Sequence, residues 1–135
     1  MNYFLAKTDP STYSIDDLEK EKKTVWNGIR NPQAVKAIKL MKKGDKVLIY
    51  HSQGQGTIRG LAEVVADNRM DYTDERSWLV DFKFIKRFPE PFITLKEIKA
   101  SGLFNDLALV RQGRLSTTQV PSKLIVWLKK KGLKI

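Results

Sequence analysis

The segment Val47-Leu48-Ile49-Tyr50-His51-Ser52 constrains the fold most, because it has no polar residue until its end. A strand with apolar side chains on both faces has to be covered on both faces. The turn Gln53-Gly54-Gln55-Gly56 and a second strand from Ile58 to about Val65 predict a hairpin. Gly60, inside the second strand, indicates a bulge or a close approach by another group. We therefore expect a central sheet with further layers on both sides.

The other predicted elements are mostly short and follow no regular βαβ alternation. Residues 2–7 predict a strand ended by the turn Lys7-Thr8-Asp9-Pro10, and residues 78–86 predict a long strand stopped by two prolines. Helices are predicted from Ser14 to about Lys22, from Thr94 to Lys99 and from Pro121 to about Lys131. The length of 135 residues favours a single domain, residues 1–135. This order predicts an α+β fold, a mostly antiparallel, barrel-like sheet flanked by short helices.

A longer helix is predicted from Pro32 to about Lys43, because its apolar residues have a helical period. One face carries Ala34, Ala37, Ile38 and Met41, and the opposite face carries Lys36, Lys39 and Lys43. The sequence Lys42-Lys43-Gly44 is typical of a helix C-terminus, with cations at the negative end of the dipole and a glycine cap. The lysine face is either a phosphate-binding surface or a solvated one, and the pattern leaves both open.

The stretch from Trp26 to Ala34 carries an aromatic ring, a guanidinium and three side-chain amides. It predicts a loop that enters a helix, with Asn31 as the cap and Pro32 at the first helical position. In one interpretation Trp26 stacks on a flat ligand ring while the amides bind the edges of that ring. In the other interpretation Trp26 is a core residue and Asn31 is only a cap.

The charge balance favours a polyanionic partner. The chain has 25 Lys and Arg against 15 Asp and Glu, which gives a net charge of +10. The absence of cysteine excludes disulfides, thiolate nucleophiles and Cys-based metal sites. The N-terminal residues do not resemble a signal peptide and no stretch is long enough for a membrane span, so we expect an intracellular protein.

No complete catalytic set is present in the sequence. His51 is the only histidine, and its neighbour Ser52 would point to the opposite face of a strand, so the two cannot readily share a hydrogen bond. The Gly54-Gln55-Gly56 segment is too short for a dinucleotide fingerprint. We expect no metal and no cofactor, and we expect a protein that is not an enzyme.

Several short motifs, in their order and spacing, resemble the EVE domain family over essentially the whole chain. The motifs are residues 2–5 with 7–10, residues 13–18, residues 26–31 with 33–34, residues 41–45 with 50–52, residues 78–81, residues 95–99, and residues 109–112 with 114–116. The resemblance implies a PUA-like pseudo-barrel, related to YTH domains, with a pocket that accepts a single modified base of a nucleic acid. The chain departs from the family pattern at Phe4, where many members have Trp, at Thr8-Asp9, where Ser-Glu is usual, and at Pro32, where Tyr is common.

The resemblance also implies roles for individual residues. Trp26 would be a stacking wall, and Asn31 and Ser52 would bind the base edge. The remaining base-binding candidates are Phe4, Arg30, Gln33, Tyr50, His51, Arg111 and Ser116. The phosphate-binding candidates are Lys36, Lys39, Lys43, Lys129 and Lys130.

We therefore predict a non-enzymatic, nucleic-acid-binding module that recognises a modified base in DNA or RNA, either single-stranded or with the base flipped out. We expect a monomer in the cytoplasm, or in the nucleus of a eukaryote. The alternatives are an RNA-binding PUA-type module without modification specificity and an accessory subunit of a nucleic-acid-processing enzyme.

Overall fold

The computed structural model describes residues 1–135, which form seven strands and five helices. The strands are β1 (Tyr3–Thr8), β2 (Lys23–Trp26), β3 (Lys46–His51), β4 (Thr57–Val64), β5 (Arg69–Met70), β6 (Trp78–Arg87) and β7 (Thr117–Val120). The helices are α1 (Ile15–Glu21), α2 (Pro32–Leu40), α3 (Leu95–Ala100), α4 (Ala108–Arg111) and α5 (Ser122–Lys130). None of the helices is long and apolar enough to cross a membrane.

The strands lie in the order β2-β6-β4-β3-β1-β7, and β5 pairs with β6 outside this row. Every neighbouring pair is antiparallel except β1 and β3, which run parallel. The apolar strand β3 lies in the middle of the row and is almost entirely buried, as its sequence predicts. The structure therefore confirms the α+β fold with a mostly antiparallel sheet.

The sheet curls until its two outermost strands approach each other. Trp26 at the end of β2 donates a hydrogen bond from Nε1 to Oγ1 of Thr117 at the start of β7, at 3.3 Å. The space inside the curl is filled by a set of residues that we call the inner cluster: Phe4, Ala6, Ile15, Leu18, Ile29, Ala34, Ala37, Ile38, Met41, Val47, Ile49, Ala62, Val64, Val80, Phe82 and Leu115. Helix α2 contributes three of these side chains, so it packs on the inner side of the sheet.

The other face of the sheet carries a second set of buried residues, which we call the outer cluster. Its members are Leu5, Leu48, Tyr50, Ile58, Leu61, Phe88, Ile93, Ile98, Phe104, Leu109, Val120, Leu124, Ile125 and Leu128. Helices α3, α4 and α5 all contribute to it. Successive residues of β1 and β3 alternate between the two clusters, which is why both strands lack polar side chains along most of their length.

Gly60 lies at a bulge and is closely approached by other groups, and the sequence predicts both features. The register between β3 and β4 shifts so that Ile49 pairs with Gly60 while Tyr50 pairs with Ile58, which is a β-bulge. A Cβ atom on Gly60 would lie 2.3 Å from Ile15 Cδ1 and 2.9 Å from the backbone oxygen of Lys86. The absence of a side chain therefore allows α1 to pack against the sheet.

Two predicted helix starts are confirmed as capping boxes. The Ser14 hydroxyl accepts from the backbone N–H of Asp17, and the Asp17 carboxylate accepts from the backbone N–H of Ser14. Thr94 and Glu97 repeat this arrangement at the start of α3. These reciprocal bonds satisfy donors that a helix start leaves free.

The predicted end of α2 is wrong. The helix stops at Leu40, and Met41 already has an extended backbone. The buried carboxylate of Asp45 accepts hydrogen bonds from the backbone of Lys42 at 2.9 Å and of Asn2 at 3.0 Å. These bonds fold residues 41–45 into a turn, and Gly44, with φ of +94°, belongs to that turn and is not the cap of α2.

Four elements were not predicted: β2, β5, α4 and β7. The sequence interpretation placed Trp26 in a loop and treated residues 100–120 as a loop, whereas β2 and β7 are edge strands of four residues each. Such short edge strands are specified by their distant partners, so local pattern does not predict them.

Candidate functional site

Trp26 is held from two sides at the end of β2. It pairs with Val80 of β6, and its ring stacks on Phe82 with centroids 5.6 Å apart and an interplanar angle of 28°. The bond from Nε1 to Thr117 fixes the ring edge. The side chain is only half-buried, so part of the ring remains accessible while the rest packs against the core.

The accessible part of Trp26 lines a cavity of about 510 Å³, which we call the Trp26 cavity. Its lining residues come from the end of β1, the loop before α1, strand β2 and the loop before α2: Lys7, Thr8, Asp9, Thr12, Tyr13, Thr24, Val25, Trp26, Asn27 and Ile29. This volume lies within the usual range for a small-ligand site, about 300–1,000 Å³.

The turn after β1 forms one wall of the cavity and is organised by Asp9. The backbone oxygen of Asp9 accepts from the amides of Thr12 and Tyr13, and Asp9 Oδ1 accepts from Ser11 N at 2.9 Å and Ser11 Oγ at 2.7 Å. The Ser11 hydroxyl and amide hold the pKa of this carboxyl below its ordinary value, which keeps it ionised. Asp9 Oδ2 makes no hydrogen bond within the protein and is free to accept one.

Tyr13 is the second aromatic residue of the cavity wall. Its hydroxyl donates to Glu21 Oε1 at 2.5 Å, and its backbone oxygen accepts from Thr8 Oγ1 at 2.7 Å. Burial, aided by the Glu21 carboxylate, raises the pKa of Tyr13 to about 12. The ring is therefore fixed and neutral, and it packs against the inner cluster beside Trp26.

Phe4 was predicted to bind a base, and the structure contradicts this. The ring is completely buried in the inner cluster. It shares a strand face with Ala6 and Thr8, but only the last of these reaches the cavity. Phe4 therefore supports the barrel interior and cannot contact a ligand.

The predicted residues around the start of α2 do not line the cavity. Asn31 caps the helix, with Oδ1 accepting from Gln33 N at 2.9 Å and Ala34 N at 3.3 Å. Gln33 is exposed in the first turn. Arg30 forms an ion pair with Asp74, at 2.6 Å, and its side chain is 60% exposed. The structure thus gives Asn31 a capping role and leaves Arg30 and Gln33 outside the cavity.

His51 lies on the inner face of β3, away from the Trp26 cavity. Its Nε2 accepts from the backbone N–H of Ile15 at 3.0 Å, and its Nδ1 lies 3.0 Å from Gln55 Oε1. This pair of contacts requires the neutral ring with its proton on Nδ1. Burial lowers the pKa of His51, which keeps the ring neutral. The ring therefore links β3 to the start of α1 through its bond to Ile15.

Tyr50 and Ser52 lie together in a different cavity, of about 500 Å³, which we call the Tyr50 cavity. Its other lining residues are Lys7, Gln53, Gly54, Gln55, Gly56, Thr94, Leu95, Lys96 and Gly113. Ser52 Oγ donates to the backbone oxygen of Thr8 at 3.2 Å. Neither residue contributes to the Trp26 cavity, so the predicted base-binding set is divided between two sites.

Ser116 and Arg111 are also separated from the Trp26 cavity. Ser116 Oγ lies 3.4 Å from Thr117 Oγ1, and Thr117 in turn binds the indole of Trp26. Arg111 is exposed at the end of α4. Neither side chain lines the cavity, so neither is placed to bind a base there.

The five candidate phosphate-binding lysines are exposed but fall on opposite sides of the sheet. Lys36 and Lys39 belong to α2, which packs on the inner cluster, and Lys43 follows that helix. Lys129 and Lys130 end α5, which packs on the outer cluster. A short strand of nucleic acid therefore cannot contact both groups at once.

Apart from Trp26, every residue that lines the cavity was missed as a site residue, among them Lys7, Thr8, Asp9 and Tyr13. The sequence contained a signal for two of them, because the turn Lys7-Thr8-Asp9-Pro10 departs from the family pattern at Thr8-Asp9. Asn27, next to Trp26, was also missed, and its side-chain amide has no partner within the protein. The association of these residues depends on how the β1 turn meets β2, which no local pattern specifies.

A curled, mostly antiparallel sheet with helices on both faces and an aromatic cavity beside its outermost strands defines a small PUA-like domain. The sequence profile of the EVE domain matches residues 2–129, and the chain belongs to the EVE domain family. Thymocyte nuclear protein 1 of Rattus norvegicus is 32% identical, over 85% of this chain and 66% of that protein. The chain thus spans slightly less than two thirds of the length of this relative.

Solved structures confirm the fold. A protein of Rhodopseudomonas palustris has 31% identity and a TM-score of 0.88, covering 98% of this chain and 93% of that chain. The human THYN1 protein, in complex with DNA that contains 5-methylcytosine, has 22% identity and a TM-score of 0.86, covering 100% of this chain and 99% of that chain. An ASCH protein of Zymomonas mobilis shares the fold at 15% identity, with a TM-score of 0.61 over 96% of this chain and 94% of that chain.

Proposed function

We propose that the protein binds nucleic acid and holds one base, displaced from its stack, in the Trp26 cavity without altering it chemically. The observation that carries this proposal is the half-buried indole of Trp26, which lines the cavity with Tyr13 while Phe82 and Thr117 hold it in place. A base that stacks on an aromatic ring gains roughly 1–3 kcal/mol. Because a base must leave its helix to reach such a ring, single strands, ends and flipped nucleotides are the favoured substrates.

The net charge and the family support this proposal. A charge of +10 attracts a polyanion over the whole surface. The human THYN1 structure contains DNA with 5-methylcytosine, which makes cytosine and its 5-methyl derivative the first bases to consider here.

The polar groups of the cavity suit a cytosine. The exocyclic amine of cytosine is a hydrogen-bond donor, and carboxylates accept from it. Asp9 offers the free, ionised Oδ2, and Asn27 offers both a donor and an acceptor. The apolar side chains of Val25 and Ile29 supply the surface that a 5-methyl group would contact.

The size of the expected preference for the methyl group is modest. Burying one additional methyl group gains about 0.8 kcal/mol, or about four-fold in affinity. Stacking and the Asp9 contact are common to both forms of the base, so they set the affinity but not the preference.

The environment of His51 supports binding without catalysis, since both ring nitrogens of the only histidine are engaged in structural contacts. Because its proposed partner is nucleic acid, we propose that the protein acts in the cytoplasm or, in a eukaryote, in the nucleus.

The proposal is tested by measuring affinity for a short single-stranded DNA with one central 5-methylcytosine, for the unmethylated strand and for the matching RNA. We expect the methylated strand to bind best. Asp9→Asn keeps an oxygen that accepts from Ser11 but replaces the free acceptor with a donor, so it should weaken both cytosine forms. Asp67→Asn, the same charge change at a residue outside the cavity, should not.

Equal binding of all bases would favour the RNA-binding module without modification specificity. A change in the mass of the oligonucleotide after incubation would favour an enzyme. Either result would overturn the proposed function.

A further inference from the structure

We propose that the Tyr50 cavity binds a backbone phosphate of the nucleic-acid strand whose base occupies the Trp26 cavity, an inference that rests on the proposed function. The assignment moves Tyr50 from base recognition to phosphate binding and gives Lys7 the central role, whereas the Ser52 hydroxyl already donates to Thr8. The lysines of α2 and α5 are not part of this site.

The two cavities adjoin each other around the end of β1, where Lys7 lines both. A third hollow, lined by Asp9, Pro10, Ser11, Gln53 and Gln55, shares Asp9 with the Trp26 cavity and both glutamines with the Tyr50 cavity. A strand that leaves the Trp26 cavity therefore has an open path to the Tyr50 cavity.

Adjacent residues of β1 serve the two cavities because a strand alternates its side chains between faces. Thr8 bonds to Tyr13 on the Trp26 side. Lys7 lines the Trp26 cavity as well, but its Nζ lies on the Tyr50 side. There Nζ donates to the backbone oxygen of Gly113 at 3.2 Å and lies 5.6 Å from the centre of the Tyr50 ring.

The Tyr50 cavity carries positive charge that no carboxylate balances. Its lining includes Lys7 and Lys96 but no Asp or Glu. Neither lysine belongs to any of the ion pairs of the protein, and the same holds for Lys99 nearby. Burial, and next the charge of Lys99, lower the pKa of Lys7, which is the response of an ammonium group that lacks an anion.

The neutral groups of the cavity are also suited to an anion. The Tyr50 ring is almost fully buried, yet its hydroxyl reaches the cavity beside Gly56 and makes no hydrogen bond within the protein. A Cβ on Gly56 would lie 3.3 Å from that hydroxyl, so the glycine keeps the approach to it open. A phosphate oxygen would accept from both Tyr50 and Lys7.

The experiment uses strands with one central 5-methylcytosine in which a single phosphate is replaced by a neutral methylphosphonate, moved one linkage at a time. With the wild-type protein we expect the substitution at one linkage beside the modified base to reduce affinity about ten-fold, the size of one charge-assisted hydrogen bond. In Lys7→Met, which keeps the apolar stem, a methylphosphonate at that linkage should reduce affinity no more than one at any other linkage. Tyr50→Phe should make the reduction at the same linkage smaller.

Lys42→Met is the matched control, because it removes one exposed lysine before β3, at the opposite end of the β1–β3 pair. In this variant, the methylphosphonate at the sensitive linkage should still reduce affinity about ten-fold. Equal sensitivity of all linkages in the wild-type protein, or an unchanged pattern in Lys7→Met and Tyr50→Phe, would overturn the phosphate site. A wild-type protein that binds methylated and unmethylated strands equally would instead overturn the proposed function, so the two failures are distinguishable.

Discussion

Trp26 and Thr117 join the two outermost strands of the sheet through one side-chain hydrogen bond, from the indole N–H to the threonine hydroxyl. The same indole lines the cavity proposed to hold a base. One residue therefore contributes both to the contact between the outermost strands and to the site, and variants have to separate the two roles.

Trp26→Ala should weaken both properties. Loss of stacking should reduce affinity for the methylated strand about 5- to 150-fold, and loss of packing on Phe82 should destabilise the fold by up to roughly 3–5 kcal/mol. Thr117→Val is the control, because it keeps the ring but leaves the indole N–H without its partner. It should cost about 1–3 kcal/mol of stability and reduce affinity less than Trp26→Ala does, because the ring and its packing on Phe82 remain, as measured by urea unfolding and by anisotropy titration. A stability loss in Trp26→Ala without any loss of affinity in the folded fraction would make Trp26 purely structural.

His51 should make the fold sensitive to mild acid. Its pKa is lowered from 6.5 in the folded protein, so as the pH falls through 6.5 the unfolded chain takes up a proton that the folded chain does not. The free energy of unfolding should thus be constant above this pH and decrease below it until the folded pKa is reached. Because the chain has one histidine, His51→Gln should remove this decrease in urea titrations. A decrease of equal size in the variant would assign it to other groups.

Gly60→Ala should be destabilising by roughly 1–3 kcal/mol, because the new Cβ would overlap Ile15 and the backbone of Lys86. Gly113→Ala is a suitable comparison, since no atom lies within 4 Å of its added Cβ. Thermal unfolding of the two variants should show a lowered melting temperature only for Gly60→Ala. Equal melting temperatures would mean that α1 shifts without cost.

Salt dependence should separate the two lysine groups. For a single strand, the slope of log affinity against log salt changes by about 0.7 for each phosphate that the protein no longer neutralises. Replacing Lys36, Lys39 and Lys43 by Gln should make the slope shallower, since α2 lies on the inner side of the sheet, as does Trp26. Replacing Lys129 and Lys130 by Gln should leave the slope for a short strand unchanged. The opposite result would place the path of the strand across α5.

The sequence predicted those parts of the fold whose signal is local. The apolar run of β3, the capping boxes at Ser14 and Thr94 and the requirement for glycine at position 60 all depend on neighbouring residues or on steric limits of one residue. The start of α2 was predicted from the local cap Asn31, but its end was placed too late. The Asp45 carboxylate accepts from the backbone of Lys42, three residues before it, and holds a turn that the lysine-glycine pattern did not indicate.

The site was less predictable because it is built from distant segments. Phe4 and Trp26 are both aromatic residues near strand ends, yet one is enclosed by the barrel and the other lies at its closing edge. Which of them reaches solvent depends on the pairing of β2 with β6 and on the position of β7, and residues 26 and 117 meet only after the sheet has curled.

The pairing of β1 with β7 has a consequence for synthesis of the chain. Tyr3 pairs with Val120, so β1 leaves the ribosome well before β7, the strand that covers its outer edge. At elongation rates of about 5–20 residues per second this interval is about 6–25 s. During that time the nascent chain carries an apolar strand with unpaired backbone groups, which is the kind of surface that ribosome-associated chaperones shield.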